Sequence, residues 1–220
     1  MKSNLPLLVT STFLLASGAS PAAVLAAWTF ETTIPATAGP FAPESGSGAA
    51  TGFHATTSTY SNPAGNGSTE SFSSNGWSVG DYYQFETSST GFSGITITFD
   101  QNGSGTGPRD FKLQYSTDGA SFTDFGSAYA LPAGIMWATG AAATPAVTTF
   151  SFDLSSITAL DNDSSIFFRL VNTTTTSIGN GTVAAGGTGR VDNVVIATVP
   201  EPASILLGAL GLLGILRRRR

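Results

Sequence analysis

The chain contains no cysteine. That absence removes disulfides, thiolate nucleophiles and cysteine-held metal sites together. His54 is the single histidine of 220 residues, which excludes a zinc site built on imidazoles. Cations are scarce as well. Between Ala27 and Val199 only Arg109, Lys112, Arg169 and Arg190 are basic, against 13 Asp and Glu, so this body carries 4 minus 13, or −9, with His54 neutral. Such a surface disfavours nucleic acid and anionic lipid. The body also lacks any convincing 3.6-residue hydrophobic period over three turns, so helices are not expected there.

Both ends of the chain depart from this pattern. At the start, Lys2 precedes the largely apolar run Leu5 to Leu15, and small residues follow at Val24-Leu25-Ala26. This order reads as a secretory signal peptide over residues 1–26, cut by signal peptidase after Ala26, with Ala27 as the second choice. At the other end, Pro200-Glu201-Pro202 leads into the uncharged segment Ala203 to Leu216, and Arg217, Arg218, Arg219 and Arg220 close the chain. As a helix the 14 apolar residues span about 21 Å, shorter than a hydrocarbon core of about 30 Å. The arginine stems extend the reach by snorkelling, and their charge stays on the cytoplasmic side of the inner membrane. Residues 199–220 therefore read as a sorting segment with a short transmembrane helix.

The tail resembles the PEP-CTERM sorting signal of bacterial envelope and secreted proteins, on Pro200, Glu201, Pro202, the apolar run and the four terminal arginines. The resemblance implies export across the inner membrane, transient anchoring, and processing by an exosortase-type enzyme. It assigns no activity to the body, because the same signal is joined to many unrelated domains.

The body, residues 27–198, alternates apolar and polar side chains in short runs, the period of strands. Ile95, Ile97 and Phe99 form one such face; Phe111, Leu113 and Tyr115 a second; Phe150 and Phe152 a third; Ile166 and Phe168 a fourth. The segment 190–198 is continuously β-prone. Asn102-Gly103, Asp118-Gly119 and Asn180-Gly181 mark turns, and Phe111 to Phe125 reads as a hairpin. Residues 35–52, 131–145 and 172–189 read as long loops, which in compact domains are often functional. An all-β, two-sheet antiparallel sandwich buries this many alternating faces. The run from Trp77 through Asp118-Gly119, with DLSSI, FFRL and GRVDNVVI further on, is similar to the jelly-roll domains of PEP-CTERM proteins and to galactose-binding-like and carbohydrate-binding β-sandwich modules. The resemblance implies a jelly roll.

Catalytic signatures are weak. The serines are too numerous to single one out, no nucleophile-elbow pattern frames any of them, and His54 lies in a Thr-rich, strand-like segment. The acids sit in turns or alternate outward, which does not suggest the paired carboxylates of glycoside hydrolysis. Arg109 and Arg169 are expected either to clamp a carboxylate within the domain, with Asp81 and Asp192 as candidate partners, or to meet a ligand. If the body binds glycan, rings outside the core should form the platform; the candidates are Tyr60, Trp77, Tyr82, Tyr129 and Trp137. Jelly-roll sugar-binding modules often hold a structural calcium where the first and last strands meet, which singles out Glu31 and Asp192 as hard oxygen ligands. Three functions remain open: a non-catalytic exported module binding exopolysaccharide, a purely structural surface protein, and a polysaccharide-acting enzyme.

Overall fold

The computed structural model describes residues 22–199. The signal-peptide core, the Pro200-Glu201-Pro202 motif, the apolar run and Arg217 to Arg220 lie outside the described residues. Among those described, no helix is long and apolar enough to cross a membrane.

The strands in chain order are β1 Val24–Trp28, β2 Ser45–Gly46, β3 Ala49–Phe53, β4 Tyr60–Ser61, β5 Phe72–Ser74, β6 Tyr82–Thr87, β7 Ile95–Gly103, β8 Asp110–Ser116, β9 Thr123–Ala130, β10 Thr149–Asp153, β11 Ile166–Asn172 and β12 Gly189–Thr198. Every pairing between them is antiparallel. They form two sheets. One runs β10-β7-β12-β1-β2, with β5 also on β12 and β4 on β5; the other runs β3-β6-β11-β8-β9. The expected all-β, two-sheet sandwich is therefore present.

Its core lies where the alternation places it. Ile95, Ile97, Phe99, Phe111, Leu113, Ile166 and Phe168 are fully buried. Phe150 and Phe152 also pack on the core but stay partly exposed, as does Tyr115. β9 and β10 are the free ends of their sheets, so the two layers are less completely covered there.

Three strands, β1, β2 and most of β3, lie where none was expected. β3 runs through Ala49-Ala50-Thr51-Gly52-Phe53, inside a segment read as loop; its small residues carry little apolar alternation, yet Ala50 is fully buried opposite Phe85. β1 begins at Val24. Ala26 is fully buried and pairs with Ile196 on one side and Gly46 on the other. Gly46 has a positive φ, and any Cβ there would lie 1.9 Å from the Leu25 carbonyl oxygen, so only glycine lets β2 approach.

The cut expected after Ala26 or Ala27 falls inside β1. It would remove Val24, Leu25 and Ala26 from the sheet, together with the Ala23 N–H that donates to Thr198 Oγ1 at 3.0 Å. The exported chain is accordingly expected to retain Ala23 onward. Intact-mass measurement of the exported protein checks this; a mass starting at Ala27 would show that the sheet closes without β1.

Candidate functional site

The five-stranded sheet has one face in the core and one in solvent. On its outer face the strand register aligns side chains into rows. Thr51, Gln84, Arg169, Gln114 and Asp124 form one row across all five strands. Phe53, Tyr82, Val171 and Lys112 form the next. Phe53 is 47% exposed and stacks on Tyr82, with ring centroids 5.0 Å apart and planes 17° from parallel. The Arg169 guanidinium carbon lies 3.9 Å from the centroid of Tyr82 and 3.5 Å from that of Phe122. The arginine is thus held between two rings, and its Nε donates to Gln84 Oε1 at 2.8 Å. Burial against the rings lowers its pKa, but guanidinium remains charged at any physiological pH. At the far end of the rows, Asp124 accepts from Lys112 Nζ at 2.7 Å and from Gln114 Nε2 at 2.8 Å.

This face offers flat apolar rings flanked by a fixed fork of N–H donors, amides and a carboxylate. Rings pack on the apolar faces of sugars, and neighbouring polar groups fix their orientation. Tyr82 was among the rings expected outside the core; Phe53 and Phe122 were not, since they sit at a strand end and just before a strand, where period-two patterning gives no signal.

The other proposed platform rings are elsewhere. Trp77 is buried, donates from Nε1 to the Ser74 carbonyl at 2.9 Å, and packs edge-on against His54, Tyr83 and Phe111. Tyr129 points inward, its hydroxyl donating to Gln101 Oε1 at 2.6 Å. Tyr60 stacks on the buried Phe72. Trp137 is 5% exposed under its own loop. These four rings therefore do not share a surface with Tyr82: loop and strand-end aromatics carry no alternation that distinguishes core from surface. Arg109 is a local clamp, with Nε and Nη2 donating to Asp110 at 2.9 and 3.0 Å and Nη1 to Asn180 at 2.9 Å. Neither Arg109 nor Arg169 pairs with Asp81 or Asp192.

Asp81 instead holds His54. Its Oδ2 lies 2.9 Å from His54 Nδ1, His54 Nε2 lies 2.9 Å from Ser74 Oγ, and Ser74 Oγ lies 2.8 Å from the Tyr83 hydroxyl. The connectivity Asp–His–Ser is that of a hydrolytic triad. Its setting is not: Ser74, Asp81 and Tyr83 are fully buried, and the Tyr83 hydroxyl is itself tied to the Gly189 carbonyl at 2.7 Å. No reacting atom can approach that serine, so the network bridges strands. Burial lowers the His54 pKa, partly offset by its bond to Asp81.

Glu31 and Asp192 meet the same loop. Glu31 Oε1 accepts the Thr69 and Glu70 N–H groups at 3.0 and 2.8 Å. Asp192 Oδ2 accepts from Asn66 N–H at 2.8 Å and Ser68 Oγ at 2.7 Å, and its Oδ1 from Asn193 N–H at 2.8 Å. Asp100 faces Asp192 across the β7–β12 pair. Asn66 and Asn193 donate to both acids. Both acids are buried. Burial, together with the nearby Asp100 charge, pushes the Asp192 carboxyl up to about 6 despite these donors. Among the described residues, no group of three or more His, Cys, Asp or Glu side chains converges on one point.

The fold is similar to that of solved β-sandwich domains at low identity. Two cleaved adhesin domains of Lys-gingipain, one given as from Porphyromonas gingivalis, each share 14% identity at a TM-score of 0.46, over 79% and 78% of this chain and 98% and 96% of theirs. TmCBM61, solved with β-1,4-galactotriose, shares 11% identity at a TM-score of 0.41, over 79% of this chain and 94% of its own. The non-crystalline-cellulose-specific module CBM28 shares 13% at 0.37, over 83% and 98%. No curated protein matches the sequence. Residues 198–220 match the PEP-CTERM protein-sorting motif, which implies exosortase processing and sorting to the cell surface.

Proposed function

We propose that this protein is an exported, non-catalytic jelly-roll module that binds extracellular polysaccharide through the outer face of its five-stranded sheet. The observation that carries the reading is the stack Phe53–Tyr82–Arg169–Phe122, which leaves rings and a charged donor fork on one solvent-facing surface. The PEP-CTERM match supports export by way of the inner membrane, with the tail as temporary anchor and an exosortase as processing partner. The single histidine, consumed in a buried network, favours binding over catalysis.

Affinity electrophoresis in gels containing the host's own exopolysaccharide tests the reading. Wild-type protein is expected to be retarded. Tyr82→Ala and Phe53→Ala should each weaken binding by about 1–3 kcal/mol, the scale of losing a ring contact, at nearly unchanged melting temperature for the exposed Phe53. A wild-type chain that is not retarded by any matrix polysaccharide would leave a purely structural surface protein.

The same reading includes a structural calcium at Asp192. Two buried carboxylates with no cation in ion-pair range are costly, and a side-chain carbon placed on Gly65 would lie 2.1 Å from both Asp192 Oδ2 and Ser68 Oγ and 2.3 Å from the Glu70 carbonyl. The hard oxygens gathered there are of the kind calcium takes. Glu31 stands one step back and shapes the loop through its backbone. Calcium at roughly 100 times its Kd would then stabilise by about 2.7 kcal/mol, raising the melting temperature by about 5–10 °C over protein in EDTA. Equal melting in both discards the ion and leaves Asp192 to titrate near 6.

A further inference from the structure

β10 ends the seven-stranded sheet, and its second edge is open. Leu154 N–H donates to the Ile95 carbonyl at 3.0 Å, and the same register runs unbroken to Thr149 opposite Asp100. Antiparallel ladders bond at alternate residues, so Phe152 and Phe150 bond inward to β7. Ser151 and Asp153 then turn their N–H and C=O groups away from it. Among the described residues, no turn or loop takes up those groups. The other sheet ends are covered or blunted, the usual protection of an edge. β3 is bonded on its free side by Phe41 and by the Ala38 carbonyl. β9 shifts register in the stretch that holds Gly126, a residue with positive φ. β2 and β4 are two residues each. β10 has five residues and no Lys, Pro or bulge.

The side of the sandwich under this edge is open as well. Phe150 and Phe152 of β10 and Phe125 and Tyr129 of β9 are only partly buried, whereas Ile95, Ile97 and Phe99 on the adjacent β7 are fully buried. The four rings form one group: Tyr129 lies 4.5 Å from Phe150 and 5.6 Å from Phe152, and Phe125 lies 6.3 Å from Phe152. Clustered aromatics left open to water mark an association surface. The strand itself says which partner fits. About Ser151 it reads Phe-Ser-Phe in both directions, with Thr149 at one end and Asp153 at the other. A two-fold axis requires just such a self-complementary patch. The chain's own continuation fits less well. The described body ends at Val199, whose N–H donates to the Gly94 carbonyl, and Pro200 and Pro202 beyond it have no N–H to give a ladder.

We propose that β10 is a self-association edge, on which a second copy of this chain pairs antiparallel about a two-fold axis at Ser151. The two Ser151 residues exchange N–H···O=C bonds, and each Asp153 N–H meets the Thr149 carbonyl of the other copy. Phe150 falls opposite Phe152 of the second copy on the core side, and aromatic cross-strand pairs of this kind stabilise a sheet. Asp153 falls opposite Thr149 on the outer side, so no like charges meet. The two seven-stranded sheets join into one, and the half-open rings of each copy are covered by those of the other. This pairing goes beyond the polysaccharide reading and does not rest on it.

The absence of cysteine makes the test direct in the full-length protein in detergent. Ser151→Cys places one thiol per chain. Hydrogen-bonded antiparallel pairs hold their Cα atoms about 5.5 Å apart, within disulfide range, so mild oxidation should give a covalent dimer. Thr98→Cys is the control. Thr98 lies beside Ser151 on β7, one strand further in on each copy, which sets the two thiols about 14 Å apart, and it should stay monomeric. Sedimentation equilibrium of the wild type should show a dimer that dissociates on dilution. Ser151→Lys sets like charges opposite each other across the axis and should shift the protein to monomer at an unchanged melting temperature, because the side chain is exposed. Ser151→Pro, which removes only an outward N–H, should do the same and stands in if the lysine variant misfolds. A wild type that is monomeric throughout the dilution series overturns the proposal. So does a dimer that survives both substitutions, which would belong to the tail or another surface, or cross-linking of Thr98→Cys as readily as Ser151→Cys.

Discussion

Phe72→Ala is expected to lower the unfolding free energy by about 3–5 kcal/mol, the cost of emptying a well-packed aromatic site. Phe72 is fully buried on the three-residue strand β5. Its ring centroid lies 4.7 Å from Tyr83, 5.2 Å from Phe41, 5.6 Å from Phe30 and 5.8 Å from Tyr60. These neighbours come from both sheets and from the loops between β1 and β3. With a total stability of about 5–15 kcal/mol for a domain, the loss is enough to unfold a large fraction. Chemical denaturation measures it. Phe92→Ala, at a ring 43% exposed, should cost under about 0.5 kcal/mol, and a similar small cost at Phe72 would mean that the loops around it collapse to fill the space.

The second large effect is at Asp81. Asp81→Ala would strand three donors that now meet its carboxylate: His54 Nδ1 at 2.9 Å, the Ala55 N–H at 2.9 Å and the Ser78 N–H at 2.6 Å. An orphaned buried donor costs about 1–3 kcal/mol; His54 Nδ1 is buried while the Ala55 and Ser78 N–H groups are partly reached by water, so the expected loss lies at the low end of three such penalties, about 3–5 kcal/mol. The change also carries a pH signature. His54 has a folded-state pKa below its unfolded value of 6.5, so the folded state holds fewer protons there. Its contribution is complete above 6.5 and is lost as pH falls toward the folded value. Asp81 works against that depression, so its removal widens the window. The variant's melting temperature should fall more steeply than the wild type's below 6.5. Asp192 acts in the opposite sense: with a folded value of about 6 against 3.8, its contribution is lost as pH rises through 6, and it flattens the acid limb of both proteins equally. Calorimetry from about pH 7.5 to 5 reads both slopes. Parallel slopes would mean that His54 is not the group titrating.

Much of this architecture is legible in the chain because burial on one sheet face imposes a period of two. The runs at Ile95–Phe99, Phe111–Tyr115 and Ile166–Leu170 announce themselves for that reason. β3 does not, because its Ala, Thr and Gly pack by being small, and smallness leaves no alternation. β1 was hidden for a different reason: Val-Leu-Ala-Ala serves a signal-peptide boundary and a buried strand equally well. Function was harder to read. The surface stack joins residues from β3, β6, β11 and the turn before β9, and their adjacency exists only through register. The Ser74–His54–Asp81 chain likewise spans three segments, in a sequence with too many serines to mark one. Trp137 was expected as a platform ring because it is a large apolar residue in a loop, but the structure buries it, and loop aromatics carry no period that tells a buried ring from an exposed one.

β12 touches β7 along its whole length, β5 over one half and β1 over the other. It is the last strand before the sorting segment, and it hydrogen-bonds residues 175 positions earlier, at Ala23. A chain that emerges amino-terminus first during its synthesis therefore lacks the middle of its larger sheet until nearly all of it is free. Contacts this distant in sequence form slowly. The last-made strand is thus the one on which the closure of the whole larger sheet waits.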